Sequence, residues 1–213
     1  ERQVEHVMRE HATETLFLAP AGETLAAVDI HLATAVSREH VLQRILSTVG
    51  GKVDHVVIDT APYLGLLTTN ALVAAEHIVV PVSCEYLPIL GLKLFGETLQ
   101  RMRARLGARC EVLGYLLTMY DRREKITTEV EKIVRRNFGA AVFPDAIRVN
   151  TRHKAAPSHK KTIFEFEPKS GKGRIDYEKL VDGVLARLDD RQRSAERLPQ
   201  IVDEIPSVLD SHR

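Results

Sequence analysis

Two stretches of the chain hold residue types that could do chemistry. The first is VVIDTAP at 56–62, where Asp59 closes a run of β-branched apolar residues and Pro62 sets a turn just beyond it. A carboxylate presented at the end of a buried strand is the arrangement that holds a magnesium ion against nucleotide phosphates. An aspartate that merely caps the next helix looks the same, and the motif alone leaves both readings open. The second is a basic run. Arg148, Arg152, Lys154, Lys160, Lys161, Lys169, Lys172 and Arg174 lie between Pro144 and Ile175, with only Asp145, Glu165 and Glu167 to oppose them. Clustered lysine and arginine supply sequence-independent contact with nucleic-acid phosphates; a solvated loop face is the alternative. No aromatic residue interleaves with these cations as a stacking platform, so readout of bases is not expected.

Other candidates carry less. GGK at 50–52 runs on into Val53 and reads as a turn, and SGKG at 170–173 also lacks the G-x-x-x-x-G-K-[ST] pattern that cradles phosphates. Cys84 and Cys110 sit in apolar runs outside any CxxC or Cys/His cluster, so they read as buried thiols and not as metal ligands. The helix expected over 125–136 pairs charges such as Glu131 and Arg135 at i,i+4 on a solvated face.

The elements that must position these residues follow from the apolar period. LFLAP (16–20) predicts a short strand, 23–36 and 38–49 two helices, and DHVVIDT (54–60) a strand buried on both faces. LLTTNALVAA (66–75) predicts a helix and HIVVPVS (77–83) another buried strand. Leu92, Phe95, Leu99, Met102 and Leu106 mark one face of a long helix, CEVLGYLLTMY (110–120) a third buried strand, and Ile126, Val130, Ile133 and Val134 the stripe of a further helix. AAVFP (140–144) suits a short strand, and 175–188 a last helix. Such alternation predicts an α/β fold with a doubly wound, mostly parallel sheet flanked by helices, whose ligands bind at the carboxyl ends of the strands. The expected organisation is one domain over 1–188 and a charged tail over 189–213.

The bulk numbers agree. With 213 residues, 44% hydrophobic and 28% charged, the chain can bury a core, while a net charge of +1 gives nucleic-acid binding no global help. The apolar runs are too short to span a membrane, and the cysteine usage suits a reducing compartment. A cytoplasmic location is expected.

DTAPYLGLLTTNALVAAEHIVVPVSCEY (59–86) resembles the switch-II segment and following strand of ParA-type DNA-partitioning ATPases of the ParA/MinD superfamily. The resemblance extends to LAPAGETLAA (18–27), REHVLQRIL (38–46), LLTMYDRREKITTEV (116–130), NFGAAVF (137–143) and APSHKKTIFEFEPKSGKG (156–173), in the family's order over roughly residues 10–190. It implies a P-loop NTPase-like fold and a homodimer that sandwiches Mg·ATP. Asp59 would be the Walker B acid that holds Mg²⁺ through water, and Thr60, Ala61 and Pro62 would begin switch II. Asn150 and Pro157, whose plain reading is turn chemistry, would approach the base. The eight basic residues would meet nucleoid DNA without sequence preference, and the partner would be a ParB-type centromere-binding protein in chromosome or plasmid segregation. The family's P-loop and first strand have no counterpart in the sequence, so the chain alone is not expected to hydrolyse ATP. Two other readings are a MinD-like division regulator, which the proline-bearing acidic tail disfavours because such chains end in a basic amphipathic helix, and a P-loop-less binding module.

The sequence departs from the family in places. Ile147-Arg148-Val149-Asn150 stands where Ile-Pro-Arg-Asn is usual, Lys160 where Gly is usual, Thr162 and Ala61 where Pro is usual, and Leu90 where an acid is usual. Losing a proline and a glycine is expected to loosen the preset loop geometry.

Overall fold

The computed structural model describes residues 9–10, 16–61 and 63–193. The chain divides into two compact units: 1–76 with 101–110, and 77–100 with 111–213.

In the first unit, β1 (Arg9–Glu10) pairs antiparallel with β2 (Phe17–Leu18). The two helices expected over 23–49 are broken into short pieces. A 3₁₀ turn at Glu23–Ala27 leads into α1 (Val28–His31), and a second at Arg38–His40 into α2 (Val41–Leu46). Ser37 between them has φ of 52°, a left-handed conformation that no helix continues through. Helix α3 (Leu66–Ala74) buries Ala71, Leu72 and Val73. Its buried Asn70 stitches the unit together. The amide oxygen accepts from the Leu42 backbone N–H at 3.0 Å, and the amide nitrogen donates to the Arg38 carbonyl at 2.9 Å. A buried amide is tolerated because both ends are satisfied.

The expected strand at 54–60 is not formed. Val57 is 94% exposed and Val56 52%, and the segment is extended without a ladder. An apolar run becomes a strand only where a neighbour takes up its N–H and C=O groups. Among the described residues of this unit, β1 and β2 make the only pairing.

The second unit holds the parallel sheet. β3 (His77–Ser83) pairs in parallel with β4 (Glu111–Thr118), and helix α4 (Tyr86–Leu106), which begins in this unit, connects them. Every residue from Val112 to Leu117 is buried, as a run apolar on both faces predicts. Pro81 lies within β3, and β3 pairs with no strand but β4 among the described residues, which is the edge position where a missing N–H is tolerated. The register slips between Ile78 and Val79. On the far side of β4, Phe143 N–H donates to the Tyr115 carbonyl at 2.8 Å and Ile147 N–H to the Leu117 carbonyl at 2.9 Å. The 142–148 segment therefore runs alongside as a parallel neighbour with only isolated bridges, at Val142 and Arg148.

Helix α5 (Lys125–Phe138) buries Val130 and Val134 completely, the stripe the sequence marks out. Then come α6 (Thr151–Ala155), a 3₁₀ turn at Ala156–His159, α7 (Ile163–Phe166) and α8 (Lys172–Arg193), which continues past position 188. The rest of the expected tail lies outside the described residues. Leu116, Phe143 and Ile147 form a core onto which Val79, Leu180 and Val184 pack. The fold is α/β, with a parallel sheet flanked by helices.

Candidate functional sites

Asp59, Thr60 and Ala61 belong to the first unit, and Pro62 lies outside the described residues. Asp59 and Thr60 are exposed at the end of the extended VVID segment. The turn that follows is tied to α3 by Thr68, whose hydroxyl donates to the Tyr63 carbonyl at 2.7 Å and lies 3.4 Å from that of Ala61. Thr68 is buried, so these contacts tie the backbone carbonyls of Ala61 and Tyr63 to the first turn of α3. No cluster of three or more His, Cys, Asp or Glu occurs among the described residues.

The second unit opens a groove of about 960 Å³ beyond the carboxyl end of β4, lined among others by Tyr120, Arg123, Asp145, Val149, Asn150 and Lys172. Met119, the last residue before it, has φ of 50°. A non-glycine residue held there is strained, and such strain gathers where structure is built for a purpose. Tyr120 donates its hydroxyl to Glu131 Oε2 at 2.7 Å, and Arg135 Nε donates to Glu131 Oε1 at 2.8 Å. The hydrogen bond to Glu131 holds the Tyr120 phenol above its ordinary pKa. Burial alone would raise Glu131, but the Arg135 and Tyr120 bonds outweigh it and leave the carboxyl below the usual range. Arg123 clasps Asp121 with Nε at 2.9 Å and holds its carboxyl down to about 2.

Asn150 sits at this groove and helps to build it. Its amide oxygen accepts from Arg152 N–H at 2.9 Å as the cap of α6, and its amide nitrogen donates to Glu167 Oε1 at 2.9 Å. The turn role is thus present. Pro157 is exposed in the following 3₁₀ turn.

The eight basic residues all fall in this unit, but they are not equivalent. Arg148 donates from Nε at 3.0 Å to both carboxylate oxygens of buried Asp176, and its backbone N–H adds a bond at 3.1 Å. Arg174 donates to Glu178 at 2.8 Å and to the Phe164 carbonyl at 2.9 Å. Both guanidinium groups are paired within the fold, which sets them apart from the other six. Arg152, Lys154, Lys160, Lys161, Lys169 and Lys172 are exposed and make no ion pair among the described residues. A second correction concerns aromatics. Arg152 lies over the Phe166 ring at 5.6 Å, His159 packs against the same ring at 5.1 Å, and Arg174 lies over Phe164 at 5.7 Å. Rings do interleave with the cations. The signal was IFEF at 163–166, whose alternation hides that a short helix throws its two phenylalanines to different sides.

Two departures from the usual loop have a local replacement, and the third, Lys160, does not. Arg148, unlike proline, has an N–H for Asp176. Thr162 caps α7 in a capping box, with its hydroxyl 3.3 Å from the Glu165 N–H and its own N–H donating to Glu165 at 2.8 Å. Lys160 has φ of 53°, the left-handed conformation that glycine adopts without strain.

An α/β fold with a parallel sheet flanked by helices is that of the P-loop NTPase-like proteins. Within it, a family model described as an AAA domain matches residues 1–112. The chain is 36% identical over 184 residues to the chromosome-partitioning ATPase Soj of Treponema pallidum, covering 86% of this chain and 72% of that protein. It is 37% identical over 182 residues to the chromosome partitioning protein ParA of Caulobacter vibrioides, covering 84% and 68%. Among solved structures, the cobyrinic acid a,c-diamide synthase of Mycobacterium smegmatis with bound ATP analog and magnesium superposes with a TM-score of 0.74 at 27% identity, covering 93% and 72%. The chain belongs to the ParA/MinD-type partitioning ATPases.

Proposed function

We propose that this chain works in DNA segregation as a nucleotide-switched homodimer that holds nucleoid DNA without sequence preference and answers to a ParB-type centromere-binding partner. The observation that carries the reading is the exposed set Arg152, Lys154, Lys160, Lys161, Lys169 and Lys172, six cations of one unit with no carboxylate partner among the described residues. Uncompensated clustered charge favours a polyanion, and contact through phosphates carries no sequence information.

ATP and Mg²⁺ belong to the same proposal. Asp59 would hold the metal through water, Thr60, Ala61 and Pro62 would follow the state of the phosphates, and Asn150 and Pro157 would stand beside the base. Bound magnesium supplies neutralisation of phosphate charge. The exposed Asp59 carboxylate and the anchored turn behind it suit that role, and a groove of about 960 Å³ lies within the size of a ligand cleft. Residues 1–213 contain no phosphate-cradling G-x-x-x-x-G-K-[ST] loop, so hydrolysis requires that loop from elsewhere.

The test has two arms. Phosphate release by the 213-residue chain with Mg·ATP and DNA should stay at background, and with a P-loop segment joined to it Asp59→Ala should remove turnover while leaving the melt unchanged. Replacing Lys160 and Lys161 by Glu should weaken binding to two unrelated duplexes equally and flatten its salt dependence. Normal turnover in Asp59→Ala would make Asp59 a helix cap, and unchanged duplex binding would make the basic set a solvated face.

A further inference from the structure

The basic face holds a feature that phosphate contact does not need. Phe164, on α7 and between Lys161 and Lys169 in sequence, is 38% exposed. Its neighbour Phe166 is half-buried, with Arg152 and His159 against its ring, and so is already used within the fold. Phe164 is different: Arg174 covers part of it at 5.7 Å from the ring centre, and that guanidinium is itself fixed by Glu178 and by the Phe164 carbonyl. The ring is thus backed by a held cation and open to solvent on what remains. Thr162 and Glu165 close a capping box at the start of α7, which fixes the helix that presents it. Lys160 and Lys161 precede the helix and Lys169 and Lys172 follow it, all exposed. An exposed aromatic ring on a short helix with lysines before and after it in sequence is what a strand of unpaired bases can use, because stacking serves every base and the cations follow the backbone. A duplex keeps its bases stacked inside and has no use for the ring.

We propose that Phe164 is a stacking platform for unpaired bases, so that this face takes single-stranded nucleic acid as well as duplex. The proposal rests on the reading of the basic face as a nucleic-acid surface. It adds the ligand's state and a residue that distinguishes the two. An acidic polypeptide is the other chemistry that lysines would draw, but it offers no planar face to the ring.

The experiment measures binding of the 213-residue chain to a short oligothymidylate and to a duplex of equal length across a salt series, for wild type, Phe164→Ala, Phe164→Leu, Phe164→Trp and the Lys160→Glu/Lys161→Glu pair. A thermal melt accompanies each variant. Stacking is worth roughly 1–3 kcal/mol per base, so Phe164→Ala and Phe164→Leu should each weaken oligothymidylate binding about 5-fold or more at every salt. Duplex binding should move less than about 2-fold, and Phe164→Trp should hold the single strand as tightly as wild type. The salt slope should be unchanged in the phenylalanine variants and shallower in the lysine pair. If Phe164→Leu binds oligothymidylate normally, the ring is only an apolar cover for Arg174 and the inference fails while the duplex reading stands. If the lysine pair leaves both ligands unaffected, the nucleic-acid reading itself fails. Competition by polyglutamate as strong as by oligothymidylate would overturn the proposal in favour of an acidic protein partner, and so would a wild-type chain that binds neither nucleic acid at low salt.

Discussion

Arg148 and Asp176 form a two-pronged pair across 28 residues of sequence, with Arg148 Nε 3.0 Å from each carboxylate oxygen and the Arg148 N–H adding a third bond at 3.1 Å. Asp176 is 4% exposed, near the start of α8, while Arg148 bridges to Tyr120 at the end of β4. The pair therefore pins the last helix to the strand end where the groove opens. It also takes a cation out of the basic face, and the family's usual proline at this place would have no N–H to give.

Arg148→Ala should cost about 2 kcal/mol of stability. Breaking a buried pair costs roughly 3–5 kcal/mol because one charge is stranded, but the Arg148 side chain is 43% exposed and water can reach the gap. The loss would be read as a lower urea midpoint. The double variant Arg148→Ala/Asp176→Ala should lose less than the two single variants added together. Additive losses would mean that the two residues stabilise the fold separately. Duplex binding should be nearly unchanged in Arg148→Ala, in contrast to the Lys160 and Lys161 variants.

Lys160 should be improved by removing its side chain. It closes a 3₁₀ turn at φ 53°, ψ 38°, where an L-residue costs about 1–2 kcal/mol and glycine does not. Lys160→Gly is expected to raise stability by roughly 1 kcal/mol, reduced somewhat by the added freedom of the unfolded chain. Lys160→Ala keeps the β-carbon and should gain little. A melting temperature that rises for both would mean that the lysine charge is the source of the cost.

The sequence was most legible where one element's own pattern decides its structure. HIVVPVS became β3 and the stripe Val130–Val134 became the buried face of α5, because a continuous apolar run and a helical repeat each need only one packing partner. It was least legible where the outcome depends on a distant neighbour. VVID has the composition of a buried strand, yet Val57 is exposed because no described strand pairs with it. The candidate site shows the same division. Asn150 as a turn-builder could be read from its type, whereas the loss of Arg148 and Arg174 from the basic face depends on Asp176 and Glu178. Neither acid falls within the basic run between Pro144 and Ile175. Phe164 was in plain view, but its exposure was not.

Arg187 should be among the costliest side chains in the second unit to replace. Its guanidinium lies 3.9 Å from the centre of the Phe143 ring while Nη1 donates to the Leu113 and Ala141 carbonyls at 2.8 and 2.9 Å, and Nη2 to those of Ala140 and Val142 at 3.0 Å. Gly114 makes the room, since a β-carbon there would meet Arg187 Nη1 at 2.1 Å and the Phe143 ring at 2.6 Å. Arg187→Met should cost about 2–4 kcal/mol, through carbonyls left unpaired and a lost cation–π contact. Arg187→Lys keeps the charge but not the planar fork, and should recover less than half of that loss. Gly114→Ala should be nearly as damaging, and far from additive with Arg187→Met. A lysine variant as stable as wild type would show that charge alone holds α8 to the sheet.

Glu167 gives the second unit a measurable acid sensitivity. It is 8% exposed, and burial by itself would raise its pKa. The Arg174 N–H at 2.9 Å, the Asn150 amide at 2.9 Å and the Gly173 N–H outweigh that, so the folded carboxyl lies below the ordinary glutamate value. A folded-state pKa lowered in this way adds stability that is fully present above the unfolded value of about 4.3 and is lost as the pH falls through the folded one. Glu167→Gln should therefore be less stable than wild type at neutral pH, because an amide nitrogen replaces an oxygen that accepts from N–H groups. The gap between their urea midpoints should narrow as the pH is taken below about 4. A gap that stays constant down to acid conditions would mean that Glu167 is not charged in the folded chain, and that Asn150 is positioned by its cap on α6 alone.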